Sequence, residues 1–183
     1  TDLVTAVRGA DTIIVAAPAF AHAYFSEQLA ALLEPGQLVV FQPGVLGSSL
    51  ELARHFALAQ RRPCLIAETA TSLYTCRLRG PAKVFIGAIK QAVPLATIPH
   101  AACQEALARL SPYFGNRYVD ATATLSVGLG NCNAIYHVPP AVLNIKTVED
   151  SAKLPQHTLV TPRIAEVINA LDVGGGDAVE VFQ

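Results

Sequence analysis

A series of short apolar runs, each followed by a turn and a helical pattern, most constrains how this 183-residue chain can fold. Runs of this kind are typical of strands that are buried on both faces of a sheet. The predicted strands cover residues 12–17, 37–41, 64–67 and 83–89. Helical patterns over residues 20–33 and about 49–60 separate the first three strands. This alternation predicts an α/β fold whose parallel sheet is covered on both faces.

The segments that follow the first three predicted strands are the first candidates for a functional site. In parallel α/β sheets, ligands bind at the carboxyl ends of the strands. Pro and Gly let a backbone turn sharply there and approach a ligand closely. The segments are Ala17-Pro18-Ala19-Phe20, Gln42-Pro43-Gly44 and Glu68-Thr69-Ala70-Thr71. The pattern leaves open whether they bind a ligand or are ordinary turns between strands and helices.

The pattern changes after Pro94, where the alternation of strands and helices is expected to stop. Residues 99–110, 122–137 and 164–171 have helical character instead. We therefore predict an α/β domain at residues 1–95 and a mainly helical domain at residues 96–183. An apolar helical face belongs either to a core or to an interface between copies, so a homo-oligomer stays open.

Composition and charge exclude several classes of protein. Hydrophobic residues make up 52% of the chain and the net charge is −1, so disorder and a nucleic-acid partner are not predicted. The longest apolar stretch, residues 13–25, is shorter than the roughly 20 residues of a membrane helix. The four cysteines form no Cys-x-x-Cys pair, and no His, Asp or Glu pair has ligand spacing, so no metal site is predicted. Four cysteines permit disulfides, but the chain is not a small cysteine-dense secreted scaffold, so reduced thiols in a cytoplasmic protein are predicted.

The segment Asn131–Pro140 carries the strongest signal for catalysis. Asn133 and His137 are four residues apart and share one face of a helix. An imidazole transfers protons near neutral pH, and an amide orients a polar substrate through hydrogen bonds. Pro139 and Pro140 end the helix just after the histidine. On these residues alone, His137 is either an acid–base catalyst or a structural histidine at a helix end.

Several stretches together resemble the opine dehydrogenase family, of the octopine and nopaline dehydrogenase type. They occur in the order of that family and extend over most of the chain. They are residues 15–22, 41–44, 67–77, 93–96, 131–140, 161–162 and 168–172. The resemblance implies the C-terminal part of a Rossmann-type domain followed by a mainly helical domain. It also implies an oxidoreductase that uses NADH or NADPH to join an amino acid reductively to a 2-oxo acid.

The resemblance implies a role for each candidate residue. His137 matches the acid–base histidine of the family, and Asn133 would orient that histidine or the substrate. Gln42, Thr71 and Cys76 match positions that face the substrates, which are small molecules. The nicotinamide would lie over the strand ends. The residues expected to bind the cofactor are Ala17, Pro18, Ala19, Phe20, Pro43, Gly44 and Glu68.

The chain departs from the family pattern in several places. It begins with Thr, contains no Met, and has no Gly-x-Gly-x-x-Gly fingerprint, so we expect a piece of a longer protein that does not catalyse alone. Residues 150–159 and 174–183 also differ from the family. One alternative is a reductase related to ketopantoate reductase or glycerol-3-phosphate dehydrogenase, although the helical-domain lysine of those enzymes has no counterpart between Lys90 and Lys146. The other is a non-catalytic domain that binds or senses a dinucleotide and does not need His137.

Overall fold

A computed structural model describes residues 2–44, residues 46–130 and Val142. The helices are α1 (Leu3–Val7), α2 (His22–Leu32), α3 (Ser48–Leu58), α4 (Cys103–Phe114) and α5 (Thr124–Leu129). The strands are β1 (Thr12–Val15), β2 (Leu38–Phe41), β3 (Leu65–Thr69), β4 (Tyr74–Gly80), β5 (Lys83–Ile89), β6 (Val93–Ile98) and β7 (Tyr118–Asp120). Short 3₁₀ turns precede α2 and α4.

Five of these strands form the main sheet, in the order β1-β2-β3-β6-β7. β1, β2 and β3 are parallel, β6 runs antiparallel to β3, and β7 is parallel to β6. The α/β class is therefore confirmed, whereas the prediction of a wholly parallel sheet is wrong. The reason lies in the connection after β3. A hairpin returns the chain to the edge at which β3 ended, so the next strand of the sheet has to run in the opposite direction.

That hairpin consists of β4 and β5, which form a separate two-stranded antiparallel sheet. β5 has the predicted bounds, but its predicted place in the main sheet is wrong. The turn after Gly80 pairs β5 with β4, and both strands lie largely in solvent. The hairpin exposes large apolar side chains, among them Leu78, Phe85 and Ile86.

The core has two layers because successive side chains of a buried strand point to opposite faces. On β2, Val39 and Phe41 face α2 and α3, while Leu38 and Val40 face α4. All four side chains are fully buried, which explains why this strand is a continuous apolar run. On the first face α2 and α3 contribute Leu29, Leu52 and Phe56, and Leu33 follows α2 directly; on the other face α4 contributes Cys103, Ala106 and Leu110.

The sheet continues past residue 95, so the expected end of the alternation at Pro94 is wrong. β6 includes Pro94, and α4 and β7 follow it. Proline usually indicates the end of a strand, but Pro94 is the second residue of β6, next to the last pair of its ladder with β3, Thr69 with Leu95.

The chain divides into two compact units, Thr1–Asn131 and Cys132–Gln183. The predicted boundary at residues 95–96 falls inside the first unit. The separate roles of residues 1–95 and 96–183 stay a prediction. Of the helix predicted over 122–137, α5 covers Thr124–Leu129. The remainder from residue 131 and the helix over 164–171 lie outside the described residues. No helix in the described ranges is long and apolar enough to cross a membrane.

Candidate functional site

The antiparallel direction of β6 brings five chain segments to one edge of the sheet. We call this edge the strand-end edge; it comprises the segments that follow β1, β2 and β3 and those that precede β6 and β7. Backbone hydrogen bonds join neighbouring segments there. Ala70 N–H donates to Pro94 O over 2.9 Å, and Val93 N–H donates to Arg117 O over 2.7 Å. This edge contains the strand-end turns that the sequence singled out.

The first segment of this edge follows β1 and presents an open surface. Pro18, Ala19 and Phe20 are exposed, and Ala17 is half-buried. The Phe20 ring is 87% exposed, the highest value among the large apolar side chains of the described residues. An exposed apolar surface beside a sheet edge suits the flat face of an aromatic ligand.

His22 holds this first segment in place. Its Nε2 lies 3.0 Å from the carbonyl oxygen of Ala17, and its Nδ1 lies 2.8 Å from Oγ of Ser48 at the start of α3. Because a carbonyl can only accept, Nε2 carries the proton, and in the neutral ring Nδ1 accepts from the serine hydroxyl. The ring is buried against Phe41. His22 therefore links the segment after β1 to α3 and does not face solvent.

Gly44 lies where the segment after β2 passes against β3. Its N–H donates to the carbonyl of Thr69 over 2.8 Å. A Cβ on Gly44 would lie 2.6 Å from Cβ of Glu68 and 3.2 Å from the oxygen of Thr69. The close packing of the two backbones thus requires a residue without a side chain. Gly44 is buried, while Gln42 and Pro43 are half-buried above it.

Glu68 is fully buried on β3 beneath that segment. Its Oε2 accepts the backbone N–H of Ser49, in the first turn of α3, over 2.9 Å. Its Oε1 has no hydrogen-bond partner in the part of the chain that the structure describes. Burial raises the pKa of Glu68, and the hydrogen bonds from Ser49 oppose this in part. The carboxyl group thus fastens α3 to β3 and keeps one oxygen unused.

The raised pKa of Glu68 predicts a pH-dependent effect of the Glu68→Gln variant on stability. The folded state holds the proton more tightly than the unfolded chain. The resulting stabilisation is complete below the unfolded pKa and is lost as the pH rises through the folded pKa. As the pH rises above about 4, the free energy of unfolding of the wild type should therefore fall relative to that of the variant. Urea denaturation across this range measures the difference.

Glu51→Gln is the matched control for this experiment. Hydrogen bonding to Arg54 lowers the pKa of Glu51, so its contribution to stability is lost as the pH falls. The two variants should therefore differ from the wild type with opposite dependences on pH. A difference between wild type and Glu68→Gln that is the same at every pH would contradict the assignment.

The side chain of Gln42 accepts a hydrogen bond from a tyrosine on β7, the last strand in the order of the sheet. The Tyr118 hydroxyl, at the start of β7, donates to Oε1 of Gln42 over 2.5 Å. Tyr118 is buried against Phe114. Burial raises the pKa of Tyr118 to about 12, and Tyr74 adds to this effect. The hydroxyl is therefore a neutral donor that occupies the amide oxygen of Gln42 and leaves its NH₂ group to donate elsewhere.

Thr71 follows β3 and contacts a lysine that precedes β6. Nζ of Lys90 donates to Oγ1 of Thr71 over 2.6 Å, and Oγ1 of Thr69 donates to the carbonyl of Thr71 over 3.0 Å. Cys76 lies farther along the chain on β4, where its side chain is exposed.

The structure thus brings Gln42 and Thr71 to the same edge as the predicted cofactor-binding segments, while Cys76 lies on the adjoining hairpin. The roles of these side chains stay predictions. His137 and Asn133 lie outside the described residues. Residues 2–44 and 46–130 contain no group of three or more His, Cys, Asp or Glu side chains that could hold a metal ion.

Two further residues of this edge were not predicted from the sequence. Tyr118 is 76 residues away from Gln42, and no local pattern links the two. Lys90 comes next to Thr71 because the hairpin reverses the chain between them. A prediction of the hairpin from the Gly80-Pro81 turn would have placed Lys90 near the end of β3.

Comparison with known proteins places these observations in context. No model of a known protein family matches the chain. An opine dehydrogenase from Arthrobacter sp. (strain 1C) is 30% identical over 172 residues, which are 93% of this chain and 48% of that protein. The chain therefore spans about half the length of the curated relative that it matches.

Solved structures agree with this similarity. The structure of octopine dehydrogenase with NADH and L-arginine has a TM-score of 0.64 and 18% identity, and the match covers 98% of this chain and 49% of that chain. NADP⁺-bound yersinopine dehydrogenase has a TM-score of 0.61 and 19% identity, over 78% of this chain and 35% of that one. The solved structures confirm the predicted Rossmann-type fold, and the 30% identical relative confirms the resemblance to opine dehydrogenases.

Proposed function

We propose that this chain is part of an NAD(P)H-dependent opine dehydrogenase, which reductively joins the amino group of an amino acid to a 2-oxo acid. The observation that carries the proposal is the position of Gln42 and Thr71, which follow the parallel strands β2 and β3 at the same edge of a Rossmann-type sheet, in a chain 30% identical to an opine dehydrogenase. Residues 1–95 would hold the cofactor and residues 96–183 would contribute to the substrate site. Free thiols at Cys64, Cys76 and Cys103 support a cytoplasmic location.

The strand-end edge fits the nicotinamide end of such a cofactor. Phe20 offers an exposed apolar face, and Glu68 keeps a buried, unpaired acceptor oxygen among the described residues. The chain carries no Gly-x-Gly-x-x-Gly sequence, so we assign it no pyrophosphate-binding loop. The residues proposed to hold the nicotinamide end are Ala17, Pro18, Ala19, Phe20, Pro43, Gly44 and Glu68. A reduced nicotinamide bound there supplies a hydride.

The remaining residues would bind the substrates and move protons. Gln42, with its oxygen occupied by Tyr118, offers N–H donors to a carboxylate or a carbonyl. Thr71 and Cys76 line the same substrate site in this proposal. His137 exchanges a proton with the reacting oxygen or nitrogen, as an imidazole does near neutral pH, and Asn133 orients it.

Assays of the full-length protein test the proposal. NADH or NADPH is supplied with pairs drawn from a panel of amino acids and 2-oxo acids, and loss of the reduced cofactor is followed. An opine dehydrogenase needs both partners, and mass spectrometry should detect their secondary-amine product. Oxidation with the 2-oxo acid alone would favour the related reductases. Cofactor binding without turnover for any pair would favour a sensing domain.

Tyr118→Phe tests the positioning of Gln42. The variant removes one hydrogen bond and leaves the amide of Gln42 free to rotate, at a cost of about 1 kcal/mol in the free energy of unfolding. We expect KM for one substrate to rise roughly fivefold to tenfold with little change in kcat, because an uncharged hydrogen bond of about 1 kcal/mol is lost from binding. Tyr113→Phe is the control, since Tyr113 is 74% exposed. Equal KM values in both variants would contradict this role.

A further inference from the structure

Lys90 is anchored to the strand-end edge at both its backbone and its side chain. Its backbone N–H donates to the carbonyl of Leu73 over 3.0 Å, which closes the base of the β4–β5 hairpin. Its Nζ donates to Oγ1 of Thr71 over 2.6 Å. The ammonium group is therefore positioned beside a residue that the sequence associates with the substrate.

The charge of Lys90 has no acidic partner among residues 2–44 and 46–130. Arg54 and Arg109, by contrast, have carboxylate partners in Glu51 and Glu105. Lys90 is half-buried, and burial lowers its pKa. A partly desolvated cation is costly unless an anion compensates it, and the hydroxyl of Thr71 carries no charge.

Two donors converge at this point. The ammonium group has three N–H donors, and Thr71 uses one of them. Because Oγ1 of Thr71 accepts that bond, its own O–H proton is available to donate. A planar anion with two oxygens can accept from both groups at once, and a carboxylate has that form.

We propose that Lys90, held by Thr71, binds a carboxylate of the substrate. This inference rests on the proposed function, in which the amino acid and the 2-oxo acid each carry a carboxylate. The order of the sheet supports the substrate as the source of the anion. Lys90 precedes β6, which lies on the other side of β3 from β1 and β2, where most of the residues proposed to hold the cofactor are found.

Binding measurements on the full-length protein with NADH bound test this proposal. L-Arginine and agmatine differ by one carboxylate, and pyruvate represents the 2-oxo acids. Titration calorimetry gives Kd for each of the three probes with wild type, Lys90→Met and the control Lys83→Met, in which an exposed lysine of the same hairpin is changed. Loss of a charge-assisted hydrogen bond should raise Kd by about 10- to 100-fold for a probe with the recognised carboxylate.

The pattern of effects identifies the anion. A raised Kd for arginine but not agmatine assigns the amino-acid carboxylate, and a raised Kd for pyruvate assigns that of the 2-oxo acid. Lys90→Arg should recover part of the affinity. If only the affinity for NADH falls, the anion belongs to the cofactor, and the proposal is wrong. Unchanged Kd values for all ligands would show that Lys90 has only a structural role, and they would also overturn the proposal.

Chemical protection provides a readout that needs no variant, in case Lys90→Met does not fold. Lys90 of the wild type should be acylated more slowly when pyruvate or arginine is bound, as measured by peptide mass spectrometry, while Lys83 should react at the same rate. Equal rates at Lys90 with and without these probes would overturn the proposal. Turnover is not needed for either measurement, so a failure of the proposed condensation activity is recognised separately.

Discussion

His137→Ala in the full-length protein is expected to lower kcat by roughly 10²- to 10⁴-fold, the usual contribution of general acid–base catalysis. The affinity for NADH or NADPH should stay unchanged, because the imidazole acts on the substrate and not on the cofactor. Steady-state kinetics and fluorescence titration of the reduced cofactor separate the two quantities. The prediction rests on the sequence, because the four-residue spacing of Asn133 and His137 predicts a shared helix face and because His137 matches the acid–base histidine of the family that the chain resembles.

His55→Ala is a suitable control for this variant. His55 lies on α3 and pairs with Glu51 at 3.1 Å, away from the strand-end edge. The pH profile of kcat in the wild type should also show a limb near neutral pH that is missing in His137→Ala. Full turnover in His137→Ala would remove the histidine from the mechanism and would contradict its assigned role.

Gly44→Ala is expected to disrupt the strand-end edge, with a loss of about 1–3 kcal/mol in the free energy of unfolding. The added methyl group would lie 2.6 Å from Cβ of Glu68 and 3.2 Å from the carbonyl oxygen of Thr69. Both atoms belong to β3 in the middle of the sheet, where neighbouring strands leave no room for a shift. The segment after β2 must then move, and KM for the cofactor should rise.

Gly87→Ala distinguishes this effect from a general cost of replacing glycine. A methyl group there would lie 3.3 Å from the ring edge of Phe85, a half-exposed side chain that can turn away. We expect a much smaller loss of stability and an unchanged KM for the cofactor. Urea denaturation and cofactor titration measure both variants. Equal losses at the two positions would show that the contact with β3 does not matter.

The strands β2 and β3 could be predicted because a strand buried on both faces is a continuous apolar run, and β1 is an apolar run as well although Ile14 is 40% exposed. β2 is covered on both faces, so each of its four residues is apolar. The bounds of β1 and β3 differ from the prediction by two residues at the carboxyl end, where the chain leaves the hydrogen-bond ladder and side-chain pattern no longer decides. The strand-end turns after β1 and β2 could be predicted because Pro and Gly residues follow these apolar runs.

The direction of β6 could not be predicted, because no local pattern records which way a strand is paired. Pro94 made residues 93–98 look unlike a strand, because proline is uncommon inside strands. The β4–β5 hairpin before it is exposed, so its sequence lacks the alternation of apolar and polar residues that burial of one face imposes. Tyr118 and Lys90 reach the strand-end edge through this reversal alone. The contacts of Lys90 with Thr71 and of Tyr118 with Gln42 depend on tertiary structure, and the spacing of these residues along the chain does not indicate them.

The length of the β4–β5 hairpin can change without a change in the main sheet. Its two ends meet at the hydrogen bond between Lys90 and Leu73, so residues 74–89 leave and rejoin the sheet at one place. Extra or fewer residues between those ends would leave the pairing of β3 with β6 untouched. Grafting hairpins of other lengths onto this base is therefore a route to redesigning what the neighbouring site accepts, with the sheet kept as a constant frame.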